Sequence, residues 1–190
     1  FWTETVIAVA QSMSQDLDLV LSADRIETLR TAARLIDEWI TQTFAPIPVE
    51  QRIVVSAHDA FSYYGKRYGV SLEPLLGLST ASETKLARVN ELVELIAERD
   101  ISAVFSETSV ESAGIAALRE GAAQRGVDLR SMPPLYSDAL GPADKRGGQY
   151  FGMLIENTIN IVDAISGERP SLSPSAQIFL EAHGLLATET

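Results

Sequence analysis

His58 and His183 carry the only two imidazoles in this 190-residue chain, and there is no cysteine. Disulfides, thiolate metal sites and cysteine nucleophiles are therefore excluded, and any coordination or acid–base chemistry rests on histidine and carboxylate. His58 lies in Ile53-Val54-Val55-Ser56-Ala57-His58-Asp59-Ala60-Phe61, after which Phe61, Tyr64 and Tyr68 follow at helical spacing. That pattern predicts a buried strand turning into a helix, with the imidazole at the strand's carboxyl end. In open parallel sheets, ligands sit in the crevice beyond those ends.

Two further predicted strands end in carboxylates. Ala103-Val104-Phe105-Ser106 delivers Glu107, and the extended segment from Val127 to Tyr136, broken by Pro133 and Pro134, delivers Ser137 and Asp138. If the three strands are parallel neighbours, His58, Glu107 and Asp138 converge on one edge of the sheet. A neutral imidazole and a carboxylate are ligands that Zn²⁺ or Mn²⁺ accepts. A third polar group can hold the second ring nitrogen and so fix the tautomer. Each residue also has a plainer use: His58 as a structural hydrogen-bonder, Glu107 as a helix cap, Asp138 in an Asx-turn before Ala139-Leu140-Gly141. Asp59, next to His58, is expected to point elsewhere and cap the Phe61 helix. His183 falls in the polar end of the chain and reads as solvated.

The trio admits a second chemistry, a small α/β hydrolase or isomerase with His58 as general base and Glu107 or Asp138 orienting it. Against that reading, the sequence has no glycine-rich phosphate loop, nucleophile elbow or thiol. A flavodoxin-like signalling module is a further alternative, but its acidic phosphoacceptor cluster and partner lysine are not evident.

The elements that must position these residues follow from periodicity. Asp24-Arg25-Ile26-Glu27 has capping-box spacing with Asp24 as N-cap. From there Ile26, Leu29, Ala33, Ile36, Ile40 and Phe44 make one apolar stripe that stops before Pro46 and Pro48, a long helix ahead of the first strand. Strands are predicted at 52–56, 70–76, 103–106 and within 127–136. Helices are predicted from Phe61 to Tyr68, from Ser82 through Ile96, after the capping-box match Thr108-Ser109-Val110-Glu111, and from Tyr150 to Ile165. The last is apolar nearly all round, so it should be buried on more than one side. A short amphipathic stretch, Ile178-Phe179-Leu180, precedes the polar end. Strands alternating with helices over short links predict an α/β fold: a small, mostly parallel four-stranded sheet flanked by helices and preceded by a long backbone helix.

Fifteen basic against 26 acidic residues give a net charge of −11, which argues against a nucleic-acid backbone or an anionic membrane surface as partner. No apolar run approaches the roughly 18 residues of a membrane span. The chain opens on Phe1-Trp2-Thr3 without an initiator Met, so its true amino terminus and any targeting segment are expected to lie upstream.

Four stretches, in order, resemble the zinc- and manganese-binding solute-binding proteins of bacterial ABC uptake transporters. His58-Asp59-Ala60-Phe61-Ser62-Tyr63-Tyr64 through Tyr68-Gly69-Val70 resembles the segment carrying that family's third ligand. Gly77-Leu78-Ser79-Thr80-Ala81-Ser82-Glu83 resembles the loop before its next helix, and Phe105-Ser106-Glu107-Thr108-Ser109-Val110 its following strand end. Leu135-Tyr136-Ser137-Asp138-Ala139-Leu140-Gly141, with the 150–165 helix, resembles its fourth-ligand loop and last helix.

The resemblance implies two α/β lobes joined by one rigid helix, with a metal held between them and two ligands from each lobe. It places His58 and Asp138 among the ligands of the second lobe. Glu107 does not match a family ligand and is expected to support His58 from behind. Phe1-Trp2 resembles the end of an Asp-Pro-His-aromatic-Trp segment whose histidine is the second ligand. Residues 1–21 then read as a remnant of the amino-terminal lobe, 22–46 as the linking helix, 47–167 as the carboxyl-terminal metal-binding lobe and 168–190 as a tail. The implied function is extracytoplasmic capture of Zn²⁺ or Mn²⁺, zinc favoured, by a monomeric binding protein that is not an enzyme. Its implied partners are the metal and the membrane subunits of an ABC permease. Half a cleft should bind the metal weakly.

Overall fold

The computed structural model describes residues 8, 12, 22–77, 86–107 and 113–186. Its strands are β1 (Ile53–His58), β2 (Ser71–Leu76), β3 (Ala103–Glu107) and β4 (Arg130–Leu135), and its helices α1 (Ala23–Phe44), α2 (Ser62–Tyr68), α3 (Leu86–Arg99), α4 (Ala113–Gln124), α5 (Tyr150–Ser166) and α6 (Pro174–Ala182). The four strands form one sheet in the order β2-β1-β3-β4, and every pairing is parallel. This is the small α/β sheet the sequence predicts, and among the described residues it is wholly rather than mostly parallel. The two central strands, β1 and β3, are the ones that end in His58 and Glu107.

Side chains alternate across a strand, so neighbours serve opposite faces. Val54, Ala103, Phe105 and Leu135 join the core under α1, α2, α5 and α6, whereas Val55, Ala57 and Val104 join the core under α3 and α4. On the helix stripe, Ile36 and Ile40 are fully buried, each contributing roughly 1.5–3 kcal/mol of transfer free energy. β4 carries two prolines that cannot donate to a ladder, which an edge strand tolerates. Between Phe105 and Glu107 its register to β3 slips, a bulge that sets Leu135 opposite Glu107.

Three local expectations are corrected. The side chain capping α1 is Ser22, whose hydroxyl accepts from the Arg25 N–H at 3.2 Å, while Asp24 sits in the first turn. Two potential caps lie two residues apart, and the one whose backbone is extended wins. Asp59 does not cap the backbone of α2. Its carboxylate instead accepts from the Ser62 hydroxyl, and Phe61 occupies the cap position without a side-chain bond. The end of the chain is not polar throughout: at Gly184 (φ 64°) it turns back and buries Leu185 and Leu186 in the same core as Ile36 and Ile40. The 78–83 part of the loop resemblance and the 108–111 capping box lie outside the described residues.

α1 is fastened to the sheet domain by polar bonds as well as by its stripe. Asp37 accepts from the Arg67 guanidinium through both oxygens and from the Tyr68 hydroxyl at 3.0 Å. Trp39 donates its indole N–H to the Ser171 carbonyl at 3.0 Å. Arg52 lies over the Phe44 ring and donates to the carbonyls of Ile47 and Tyr68.

Candidate metal centre

β1 extends to His58 itself, so the imidazole leaves from the last rung of a central strand rather than from a loop. The residue is 3% exposed. Glu107, at the end of neighbouring β3, is also 3% exposed and grips His58 at two points. Its Oε1 accepts from the His58 backbone N–H at 2.8 Å, and its Oε2 lies 2.6 Å from the ring Nδ1. The ring contact is close without the alignment of a hydrogen bond, and neither Nδ1 nor Oε2 has a hydrogen-bond partner among the described residues. On the far side of the ring, Nε2 stands 3.4 Å from Oδ2 of Asp138. The Asp138 side chain is 62% exposed. The three residues that the sequence singled out come together at this edge of the sheet, and their contacts run in the order Glu107, His58, Asp138, because Asp138 meets the ring from a loop beyond β4.

The electrostatics of this row are directional. A carboxylate fixed against Nδ1 favours the proton on that nitrogen and leaves the Nε2 lone pair facing outward, towards Asp138. The outward side of the imidazole is thus the donor side. Among the described residues no group of three or more His, Asp or Glu side chains has metal-holding geometry. His58 and Asp138 are a pair of donors, and Glu107 faces the other nitrogen.

Asp138 follows β4 in a loop whose shape depends on residues the sequence reading did not single out. Asn157, in the middle of α5 and 3% exposed, accepts from the Tyr136 N–H at 3.0 Å and donates to the Tyr136 carbonyl at 2.7 Å. The Tyr136 ring packs against Gly141 and Gly147, where an added Cβ would come within 2.8 and 2.5 Å of it. The same two glycines are joined by the Gly141 N–H to Gly147 carbonyl bond at 2.8 Å. Burial, and then the neighbouring Glu156 carboxylate, raise the pKa of the Tyr136 phenol. A signal for Asn157 is present in the sequence: Asn157, Thr158 and Asn160 interrupt the apolar run of a largely apolar helix. All three are buried and bonded, Thr158 to the Tyr64 hydroxyl at 2.8 Å and Asn160 to Arg169 at 3.3 Å.

His183 has no part in this row. It is exposed at the end of α6, its ring stacked at a tilt on Phe179 and its Nδ1 2.8 Å from the Phe179 carbonyl. A cavity of about 310 Å³ opens at the opposite, amino-terminal ends of β1 and β3, between Glu50, Arg99, Asp100 and the end of α5. It does not reach His58.

The chain is similar to proteins whose names describe metal binding. A manganese-binding lipoprotein, MntA of Bacillus subtilis (strain 168), is 42% identical over 130 residues, which is 68% of this chain and 42% of that protein. The zinc-binding protein TroA of Treponema pallidum (strain Nichols) is 33% identical over 167 residues, 87% of this chain and 54% of that protein. The solved structure of the periplasmic zinc-binding protein TroA from Treponema pallidum superposes with a TM-score of 0.71 at 31% identity, covering 86% of this chain and 57% of that one. The chain spans about half the length of the curated relatives it matches. The sequence pattern of the family described as zinc-uptake complex component A, periplasmic (ZnuA), matches residues 21–164. A run of that length takes in the long helix, the whole parallel sheet and nearly all of α5, so the chain belongs to the ZnuA family.

Proposed function

We propose that this chain is the carboxyl-terminal lobe, with its linking helix, of an extracytoplasmic protein that captures a divalent transition metal for an ABC permease. In this reading residues 22–46 are the link between lobes and 47–167 form the lobe. Residues 1–21 are what remains of the first lobe, and 168–190 are a tail whose Leu180, Leu185 and Leu186 share the core of α1. His58 Nε2 and an Asp138 oxygen are two of the ligands, and Glu107 orients His58 from behind. The relatives named above support an extracytoplasmic place, since one is a lipoprotein and another is periplasmic. They give the hydrolase or isomerase alternative no support, because their names describe metal binding.

One observation carries the reading. Two donors each about 2.0–2.1 Å from a tetrahedral metal stand about 3.3 Å from one another. His58 Nε2 and Asp138 Oδ2 stand 3.4 Å apart, so this pair needs no rearrangement to share one ion. An imidazole paired with a carboxylate favours zinc over manganese, which prefers more oxygen donors and a higher coordination number. Two donors complete only half a tetrahedron. The remaining two belong to the first lobe.

Calorimetric titration of Zn²⁺ and Mn²⁺ into the full-length protein tests this. Tight binding with a preference for Zn²⁺, weakened sharply by His58→Ala, is the expected result. Unchanged affinity in His58→Ala would remove that residue from the site, and tighter binding of Mn²⁺ would reverse the assignment of cargo.

A further inference from the structure

We infer that Asn157 is the positioning residue of the Asp138 loop, setting the carboxylate at ligating distance from His58. The inference rests on the metal-capture reading above. Tyr136 is the first residue past β4, and a chain leaving an edge strand at this point has an N–H and a carbonyl with no strand partner. Asn157 takes both, accepting from the N–H at 3.0 Å and donating to the carbonyl at 2.7 Å. An amide side chain carries one acceptor and one donor side by side, so it imitates the strand that is missing. Leu135 is the last residue paired to β3, opposite Glu107. Asn157 therefore holds the chain where it departs from the sheet, two residues before Asp138.

The opposite side of the loop is closed by shape. The Tyr136 ring lies against Gly141 and Gly147 with no room for a methyl group, and the bond between those glycines ties the two ends of the 141–147 segment. Asp138 is thus carried between a clamp at Tyr136 and a seat at Gly141. Its side chain is mostly exposed, so burial of its own atoms does not hold it. The position of the exposed carboxylate is determined by the buried amide on α5. Loss of a support of this kind typically costs metal affinity by about 10–100-fold.

The test is a double-mutant cycle in the full-length protein, with Zn²⁺ affinity measured by calorimetry for wild type, Asn157→Ala, Asp138→Ala and the double variant. Asn157→Ala is expected to weaken binding by about 10–100-fold and to have no further effect once Asp138 is gone. A loss of the same factor in both backgrounds overturns the inference, because Asn157 would then act on folding or on another ligand. Unchanged affinity in Asn157→Ala overturns it as well. Should the alanine variant fail to fold, Asn157→Asp carries the same cycle, since it keeps the shape and the acceptor and removes the donor to the Tyr136 carbonyl. The metal reading itself fails in a different arm. Wild-type affinity in Asp138→Ala with Asn157 intact removes Asp138 from the site, and the inference falls with it.

Discussion

His58 and Asp138 face each other across 3.4 Å, yet the molecule holds them in opposite ways. His58 belongs to a central strand, is almost wholly buried and is gripped twice by Glu107. Asp138 is on a loop beyond an edge strand, is mostly exposed, and follows by two residues the Tyr136 backbone that Asn157 holds. One half of the row is built into the core, so its stability and its geometry cannot be separated. The other half is a solvated arm whose geometry is maintained at a distance. In the metal-capture reading proposed above, the fixed donor would preorganise the site and the exposed one would stay accessible to a hydrated ion.

The comparison makes predictions that can break it, and the largest concerns the buried half. Glu107→Ala leaves the His58 N–H and ring without their partner in a dry site, which should cost about 1–3 kcal/mol for each donor left unpaired and weaken metal binding at the same time. Urea unfolding of the full-length protein, paired with calorimetry, checks both, and a variant that lost affinity but kept its stability would show that the pair is not structural. Asp138→Asn should behave in the opposite way, lowering metal affinity while changing stability by no more than about 0.5 kcal/mol. If its stability fell as far as that of the Glu107 variant, the contrast between the two halves would be gone.

Gly147→Ala sharpens the exposed half. The new methyl would come within 2.5 Å of the Tyr136 ring and 2.8 Å of Glu156, and overpacking of this kind costs about 1–3 kcal/mol. The loop then shifts while β1 and β3 stay in place, so hydrogen exchange should rise at 136–148 and not at 53–58. The smallest effect concerns two tyrosines outside the row of Glu107, His58 and Asp138. Burial raises the pKa of the Tyr64 phenol above its ordinary value of 10.0, and burial followed by the charge of Asp37 does the same for Tyr68. The folded chain thus keeps these protons after the unfolded chain has released them. Stability they contribute is complete below about pH 10 and falls as pH rises beyond it. Thermal unfolding between pH 9 and 11 should show that decline, and Tyr64→Phe should reduce its slope.

Much of the fold was legible because its signals are local. Val54 and Val55 announce a strand, Ile36 and Ile40 a helix face, and Gly69 and Gly167 the left-handed ends of α2 and α5 (φ 69° and 73°). Strand ends could therefore be placed, and with them His58, Glu107 and Asp138. Ser22 rather than Asp24 as the cap of α1 was harder to read, since both residues are good caps and the choice depends on where the backbone first turns helical.

The sequence by itself determined which elements form and which residues stand at their ends, because periods of two and of 3.6 residues are properties of neighbours along the chain. Tertiary structure alone decided what those ends meet. That Glu107 takes the inner nitrogen of His58 follows from β3 lying beside β1, while Asp138 meets the outer one from a loop beyond β4. That Asn157 clamps Tyr136, and that Leu185 and Leu186 return to the core of α1, depends on surfaces that exist only once α5 and α6 have packed. Contacts between residues far apart in the chain are set by loop closure and complementary packing, and no periodicity records them.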